Sequence, residues 1–589
     1  MRQIRPSRLL FLVILAGGLG LAGGAAAYVL LRLIGALTNV ALFHRFGWTL
    51  PSLRDVPRSP LLVLTAGAGG LVIGVMARWT PIIRGHGIPE AMESILSKQS
   101  RVAPSAAVAK PLSAAIAIGT GGPFGAEGPI IVTGGALGSL VGQLIPVSPA
   151  ERKVLLAAGA AAGMSATFGT PLAAVVLAIE LLLFEFSTRA LIPLLVSSSV
   201  AGGVHVLVFG SGPLFSVPVH QFAGLDRLPL FAGLGVVCGL LAVVICQGLF
   251  WVEAGFRRLP IPEVWHPALG AVGFATVGLV SPRALGVGYD AIGDVLANRI
   301  AVGALAALAL AKLLAWWVAL GSGTSGGTLA PILLISGSVG AVLADLVNAV
   351  APSFHVSVGA FALVAMAATF AAATRATLAS IVFVFELTRD YQAILPIMGA
   401  TVVADLIFSA LSAESIMTEK LTRRGLRVYG DYEVDPLRPA TVADVMTTEL
   451  ETLSVDSTVE EAAGRFARST HNAFPIVDGD GRLAGIVVRA DLLRTSAGGE
   501  ERIMDLASRD VVTVSPQEPL VSALRRMLEE TVEHLPVVNG ERLVGICTRT
   551  DILRVRLDQF QRESPEPGWV PMWRRRPVGD RSRPVIGDQ

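Results

Sequence analysis

A long succession of apolar runs is the feature that most constrains how this chain folds. The runs follow one another with short breaks and cover residues 9–40, 59–78, 106–118, 129–147, 153–186, 190–209, 228–256, 264–281, 300–320, 328–350, 356–388 and 392–411. A membrane-spanning helix needs about 20 apolar residues, and several of these runs are shorter or are interrupted by Gly and Pro. Irregular backbone at membrane depth is tolerated where it lines a cavity, as in transporter sites. The pattern predicts a membrane all-α domain with many broken and tilted helices.

The composition supports a membrane location. Of the 589 residues, 52% are hydrophobic and 16% are charged, whereas soluble domains average about 25% charged residues. The first run follows Arg2, Arg5 and Arg8 and stays apolar to Leu33, too long for a cleaved signal peptide. Because basic residues favour the cytoplasmic side, we predict a spanning helix with a cytoplasmic N-terminus. The net charge of +2 and the three scattered cysteines indicate neither a nucleic-acid partner nor a metal site.

The membrane half contains an internal repeat. Residues 171–181 match residues 377–387 without a gap, and two shorter upstream segments match in the same order at an offset of about 202. Repeats of this kind place the substrate site at the interface between the two halves, near the middle of the bilayer.

A second repeat lies in the soluble part of the chain. Thr441 to Met446 begins one unit and Arg502 to Leu506 begins the next; each reads as a strand, a helix, two strands joined by a turn, and a short helix. This resembles a tandem pair of CBS domains, a soluble α/β fold. The predicted division is a transmembrane domain, a linker, the two CBS domains and a disordered tail, at residues 1–425, 426–440, 441–495, 502–557 and 562–589.

Glu127 is the candidate functional residue of the membrane half. It lies in Gly125-Ala-Glu-Gly-Pro129, between a glycine-rich stretch and an apolar run. An ionisable group at membrane depth indicates function by default. Pro129 suits the first turn of a helix, and a helix N-terminus with spare N–H groups binds anions. A carboxylate placed there competes with an anion for the same donors, although a first-turn glutamate that only caps its helix is the alternative.

Three motifs resemble the anion-binding signatures of the CLC chloride channels and transporters, usually written GSGIP, GxEGP and GxFxP. They read here Gly85-His-Gly-Ile-Pro89, Gly125-Ala-Glu-Gly-Pro129 and Gly327-Thr-Leu-Ala-Pro331. The resemblance implies an inverted two-half fold, a homodimer with one pore in each subunit, and Glu127 as the gating glutamate. It assigns chloride or a similar anion to a site built from Gly85, His86, Gly87, Ile88, Pro89, Ala126, Gly128, Gly327, Thr328, Leu329, Ala330 and Met417.

Three of these positions depart from the family pattern. His86 stands where the family commonly has a serine, Leu329 replaces the phenylalanine of the third motif, and Met417 falls where a tyrosine ligand is usual. The anion would then rest mainly on backbone N–H groups, with His86 as a further donor or, alternatively, turned away into a packed helix end. Chloride selectivity is therefore open, and fluoride or nitrate is an alternative substrate.

Proton coupling is the second open point. CLC exchangers often carry an inner glutamate, and the motif alignment places Leu181 there, beside a Glu180 that we interpret as structural, like Glu386. The composition, rich in Ala, Gly and Arg, is typical of bacterial proteins, and most prokaryotic members of the family resemble exchangers. We therefore predict proton-coupled chloride transport, with a passive channel as the alternative. The expected location is the inner (plasma) membrane, multi-pass, with cytoplasmic CBS domains.

The CBS pair is predicted to regulate transport. Family members commonly bind adenine nucleotides between the two units, with a hydroxyl residue three positions before an aspartate. Thr548 and Asp551 fit this pattern, whereas Asp491 is preceded by Val488. ATP, ADP or AMP is the candidate ligand at one site; no cofactor is required for transport. A purely structural role in the dimer is the alternative.

Two other classes fit the sequence poorly. A membrane metalloprotease needs H-E-x-x-H, which none of the eight histidines provides. A cation transporter calls for several carboxylates at membrane depth, whereas this chain has one central glutamate among glycine-rich helix starts. We predict a transporter and not an enzyme.

Overall fold

The computed structural model describes residues 6–215, 227–426, 440–494 and 501–555. The chain forms two compact units that divide at Gly425. The predicted tail, and all of the predicted linker except Leu426 and Ala440, lie outside the described residues.

The first unit is helical. Its helices are α1 (Pro6–Phe43), α2 (Pro60–Trp79), α3 (Ile88–Ser97), α4 (Ala106–Gly119), α5 (Glu127–Leu144), α6 (Pro149–Phe168), α7 (Pro171–Ala178), α8 (Thr188–Phe209), α9 (Leu228–Arg257), α10 (His266–Val280), α11 (Tyr289–Leu296), α12 (Val302–Gly321), α13 (Leu329–Val350), α14 (Val358–Thr374), α15 (Thr377–Thr388), α16 (Ile394–Leu411) and α17 (Glu419–Arg423). Among the described residues, seven helices are long and apolar enough to cross a membrane.

The first sixteen helices form two series of eight. Helices α1 to α8 correspond in order and relative length to α9 to α16, and equivalent pairs pack together in both series: α5 on α6 as α13 on α14, and α1 on α8 as α9 on α16. The internal repeat predicted from three segments is confirmed and extends from α1 to α16.

Two of the apolar runs each contain two helices. Residues 153–186 separate into α6 and α7 at Gly169, which has a left-handed backbone (φ +66°) and ends α6 before Pro171 starts α7. In the second half Arg375 adopts the same left-handed conformation (φ +56°) between α14 and α15. The left-handed backbone that ends the helix is therefore present in both halves, although only the first half has a glycine there.

Central and peripheral helices differ in what surrounds them. Every residue of α14 is buried, whereas α1 exposes large apolar side chains such as Leu10, Ile14 and Leu21. Apolar residues on an outward face favour contact with lipid. The central helices are thus shielded by protein, which is where functional sites of membrane proteins lie.

The second unit has two α/β repeats. The first contains β1 (Leu453–Ser454), α18 (Val459–Arg468), β2 (Ala473–Val477), β3 (Leu483–Val488) and α19 (Arg489–Arg494), with sheet order β1-β2-β3. The second contains α20 (Leu520–Glu529), β4 (His534–Asn539) and β5 (Arg542–Thr548), followed by helical residues 549–555. Both hairpins turn at a glycine with positive φ, Gly481 and Gly540, in agreement with the two strands joined by a turn that each unit was predicted to have.

The two repeats interlock. Thr447, before the first repeat's sheet, exchanges backbone hydrogen bonds with Ile546 of β5, and Ser508 does the same with Ile486 of β3. Each hairpin is therefore extended by a segment from the start of the other repeat, and these backbone hydrogen bonds join the two repeats.

Candidate anion site

Three glycine-rich loops meet at the centre of the membrane unit. The Gly327 N–H donates to the Gly125 carbonyl at 2.9 Å, and the Gly125 N–H donates back to the Gly327 carbonyl at 3.3 Å. The Gly326 N–H donates to the Gly85 carbonyl at 3.4 Å. Three motifs separated by up to about 240 residues in sequence are thus brought into one place by their backbones.

Each loop leads into a helix whose N-terminus has no side-chain cap. The N-cap residues are Gly87 for α3, Ala126 for α5 and Thr328 for α13. Elsewhere in the unit, α2, α6, α8 and α14 are capped by serine side chains. Because the first N–H groups of a helix have no partner within it, three sets of donors and three positive dipole ends remain for an anion.

Glycine is required where the loops touch. A Cβ on Gly128 would overlap the His86 carbonyl oxygen and lie 3.3 Å from the Cα of Gly327. Gly87 has a φ of +95°, and a Cβ there would lie 3.2 Å from Cε of Lys110. The loops therefore approach as closely as backbone atoms allow.

Glu127 is the first residue of α5, and its side chain is buried, with 2% exposed. The carboxylate folds back over Gly125 towards Gly327, where a Cβ would lie 2.6 Å from Oε2. Oε1 accepts a hydrogen bond from the Tyr289 hydroxyl at 3.2 Å, whereas Oε2 has no partner among the described residues. The backbone N–H groups of Glu127 and Ala330 face this carboxylate.

Tyr289 was missed by the sequence analysis. It is the first residue of α11, and its ring packs edge-on against Phe168 and Phe215, with centroids 6.3 and 6.2 Å away. A signal was present, because Gly286-Val-Gly-Tyr289 repeats Gly85-His-Gly-Ile88 at an offset of 201. The fourth position of the loop in the second half is thus the hydrogen-bond donor to Glu127.

Two buried lysines were also missed. Lys110 and Lys312 are 202 residues apart, at equivalent places of the repeat, and both are fully buried. Nζ of Lys110 donates to the carbonyls of Ile83 (2.8 Å) and Gly85 (2.7 Å), and Nζ of Lys312 donates to Gly286 (2.8 Å). Each lysine thus donates to backbone carbonyls of the glycine loop in its own half and satisfies them where water is excluded.

His86 is buried, and its ring points towards the loop before α17, in the last residues of the membrane unit. Nε2 lies 3.2 Å from the Ile416 carbonyl, while Nδ1 has no partner among the described residues. The ring lines a cavity of about 10 Å³ together with Glu253, Glu419 and Lys420. That volume is near the minimum that holds one water molecule. Glu253 and Lys420 also line a wider cavity of about 540 Å³.

The remaining predicted site residues are buried around these loops. Leu329 is the first residue of α13, and Met417 follows Ile416 and donates its N–H to Ser415 Oγ at 3.2 Å. Thus Met417 is adjacent to a residue that contacts the His86 ring. All of the following are buried: Gly85, Gly87, Ile88, Pro89, Ala126, Gly128, Gly327, Thr328, Leu329, Ala330 and Met417.

Glu180 and Glu386 cap each other's helices across the repeat. Glu180 accepts from the N–H groups of Leu378 (3.1 Å) and Ala379 (2.8 Å) at the start of α15. Glu386 accepts from the corresponding N–H groups at the start of α7, at 3.1 and 2.7 Å. This reciprocal arrangement supports the structural interpretation of both carboxylates. The neighbouring Leu181 is buried and apolar.

The candidate nucleotide residues also have defined neighbours. Oδ2 of Asp551 accepts from the Thr548 N–H at 2.9 Å and from the Thr548 hydroxyl at 2.7 Å. Asp491 accepts from the N–H of Val488 at 3.0 Å. The hydroxyl and carboxylate of the second repeat are therefore side by side, while the first repeat offers only the carboxylate.

Comparisons with known proteins agree with this architecture. The profile of the family described as "Voltage gated chloride channel" matches residues 68–409, and the CBS domain profile matches residues 442–498 and 503–558. The chain is 27% identical over 572 residues to "Chloride channel protein CLC-f" of Arabidopsis thaliana, covering 84% of this chain and 72% of the relative.

Two further matches concern exchangers. The "H(+)/Cl(-) exchange transporter ClcA" of Salmonella agona (strain SL483) is 30% identical over 446 residues, covering 72% of this chain and 91% of the relative. The solved structure of "a slow cyanobacterial Cl-/H+ antiporter" is similar with a TM-score of 0.62 and 26% identity, covering 72% of this chain and 99% of that one. The chain therefore belongs to the CLC family of chloride channels and transporters and carries a C-terminal pair of CBS domains.

Proposed function

We propose that this protein exchanges chloride for protons across the membrane and that the Glu127 carboxylate gates the anion path. The observation that carries the proposal is the position of Glu127: a buried carboxylate where three uncapped helix N-termini meet. The exchange activity named for the two relatives above favours an exchanger over a passive channel.

The gating step follows from competition for one set of donors. The ionised carboxylate occupies the N–H-lined position and excludes an anion. Protonation removes its negative charge and weakens its attraction to the helix N-termini. The side chain then leaves, and an anion replaces it. Because the anion can enter only after a proton has bound to the Glu127 carboxylate, proton and anion movements are coupled.

Glu127→Gln tests this step in liposomes. The variant should carry anion with little pH dependence and move no protons, because glutamine mimics the protonated carboxylate. Glu449→Gln makes the same change at an exposed glutamate of the CBS unit. It is the matched control and should keep the proton coupling of the wild type. Full proton coupling in Glu127→Gln would show that another group gates the path.

His86 contributes to anion binding only when it is protonated. If Nε2–H donates to the Ile416 carbonyl, the neutral ring has a bare lone pair at Nδ1. A lone pair repels an anion, whereas imidazolium offers a second N–H and a positive charge. Acidification that protonates the ring should therefore tighten anion binding. His86→Ser should flatten this dependence; identical binding curves for both proteins would contradict the role.

Protons reach the site by a route that does not use an inner glutamate at position 181. The cavity beside His86 has room for about one water molecule. Glu253 and Lys420 line both this cavity and the wider one, so water and polar groups supply the inner half of the path.

A passive channel, or a carrier of another anion such as fluoride or nitrate, is the second candidate function. It is favoured by Leu181, Leu329 and Met417, where side-chain groups usual in the family are absent. Flux of chloride, fluoride and nitrate into liposomes, with and without a pH gradient, separates these cases: only an exchanger lets an anion gradient drive protons uphill.

The proposed assembly is a homodimer in the inner (plasma) membrane, with the N-terminus and the CBS pair in the cytoplasm. The CBS pair binds an adenine nucleotide at Thr548 and Asp551 and regulates transport through residues 426–440. The adjacent hydroxyl and carboxylate in the second repeat support this site. Asp491 is the equivalent residue of the first repeat, where nucleotide binding is weaker because Val488 offers no hydroxyl.

A further inference from the structure

We propose that the hydroxyl of Tyr289 is a ligand of the transported anion, in the position that the Glu127 carboxylate occupies here. This inference rests on the proposed gating role of Glu127 and deepens it, because it names the donor that the carboxylate and the anion share. The ligand class is a small monovalent inorganic anion that accepts an O–H hydrogen bond.

The carboxylate itself indicates what the position accepts. Its Oε1 receives the Tyr289 hydroxyl at 3.2 Å, while Oε2 lies over Gly327 without a hydrogen-bond partner among the described residues. A carboxylate at this point is a negatively charged acceptor among N–H groups and one O–H group. Any anion that replaces it meets the same O–H donor.

Departure of the carboxylate leaves the hydroxyl without its acceptor. A buried donor without a partner is unfavourable, because it has lost its water and gained no acceptor. An anion that enters the vacated position restores the hydrogen bond, and bonds to charged acceptors are stronger than those between neutral groups. Anion binding therefore restores the hydrogen bond that the Tyr289 hydroxyl loses when the carboxylate leaves.

The phenol ring is held in place before any anion arrives. Phe168 and Phe215 pack against it at interplanar angles of 76° and 68°. Tyr289 is the first residue of α11. The residue before it, Gly288, has a left-handed backbone (φ +81°). Lys312 donates to the Gly286 carbonyl, which holds the loop that precedes α11. A donor that is already oriented loses little entropy on binding.

The position of Tyr289 also explains how this chain functions without other side-chain donors. Met417 and Leu329 offer no hydroxyl, and the neutral ring of His86 offers no free N–H if Nε2 donates to Ile416. Tyr289 supplies a hydroxyl from the second half of the repeat, at the level of the gate.

Anion binding to full-length protein in detergent tests the proposal. In Glu127→Ala the position is open, and the chloride Kd is measured by calorimetry with and without Tyr289→Phe. Removing a hydrogen bond to a charged group, about 1.5–3 kcal/mol, should weaken chloride binding by roughly tenfold or more. Tyr391→Phe, the same change at an exposed tyrosine, should leave the Kd unaltered.

The outcomes separate this inference from the function on which it rests. Tyr289→Phe keeps the ring and its aromatic contacts, so an unchanged unfolding temperature with a raised Kd assigns the loss to the hydroxyl. Equal Kd values with and without the hydroxyl would overturn the role of Tyr289 while leaving the gate intact. If Glu127→Ala itself still couples protons to anion flux, the gating proposal fails first, whatever Tyr289 does.

Discussion

Removing the carboxylate of Glu180 should destabilise the membrane unit without changing proton coupling. Glu180 accepts two backbone N–H groups at the start of α15, one at an exposed edge and one that is partly buried. A bond from a partly buried N–H to a charged acceptor contributes about 1.5–3 kcal/mol, and an exposed helix cap at least about 0.5 kcal/mol. We therefore expect Glu180→Ala to lower the free energy of unfolding by about 2–3.5 kcal/mol.

Glu180→Gln separates the structural role from a role in proton transfer. The carboxamide keeps one acceptor oxygen, so about half of the loss is expected. Glutamine cannot carry a proton as glutamate does, so a proton-transfer role would abolish coupling. Because Glu386 caps α7 in the same way, Glu386→Ala should cost about as much as Glu180→Ala.

The assay combines unfolding and transport on the same preparations. Denaturant titration of full-length protein in detergent gives the stability difference, and liposome flux below the unfolding transition gives the ratio of protons to anions. Stability equal to the wild type in Glu180→Ala would refute the capping argument. A loss of coupling in Glu180→Gln, with stability nearly intact, would instead make Glu180 a proton carrier.

Three further predictions concern separate parts of the chain. Gly128→Ala should abolish anion flux, because its Cβ would overlap the His86 carbonyl, whereas Gly203→Ala, with open space around it, should transport normally in the same liposome assay. Asp551→Ala should weaken adenine nucleotide binding to the full chain in calorimetry at least tenfold; unchanged affinity would leave the CBS pair with a structural role. Burial lowers the pKa of His534 below its usual value, so the unfolded chain binds the proton more readily, and stability of the CBS unit should fall as pH drops through about 6.5. Urea titrations between pH 5 and 8 should show this slope, and His534→Gln should flatten it.

The sequence was informative where local chemistry determines local structure. Gly and Pro predicted the helix start beside Gly125, because φ preferences and missing N–H groups act within a few residues. The loops around Gly85 and Gly327 were identified by the family resemblance. The repeat was visible because residues 171–181 and 377–387, which include the short apolar helix α7 and most of α15, match without a gap. The meeting of the three loops followed from the family resemblance and not from these local rules.

The missed features depend on contacts that are remote in sequence. Helices α3 and α11 are 10 and 8 residues long, too short and too polar to stand out as apolar runs. Lys110 and Lys312 lie inside apolar helices, and their acceptors are carbonyls 25 to 27 residues away. No local pattern predicts such a bond. Only the equal spacing of the two lysines in the repeat marked them.

The site combines a symmetric backbone with asymmetric side chains. Under the repeat, Glu127 corresponds to Leu329, and Ile88 corresponds to Tyr289. The first half therefore supplies the acidic group, and the second half supplies the hydroxyl that meets it. Two like carboxylates at one site would repel each other, whereas one carboxylate facing one hydroxyl forms a hydrogen bond that an anion can replace. Repetition thus brings paired helix starts together, and in the proposed mechanism divergence at one position in each loop makes this meeting point a gate.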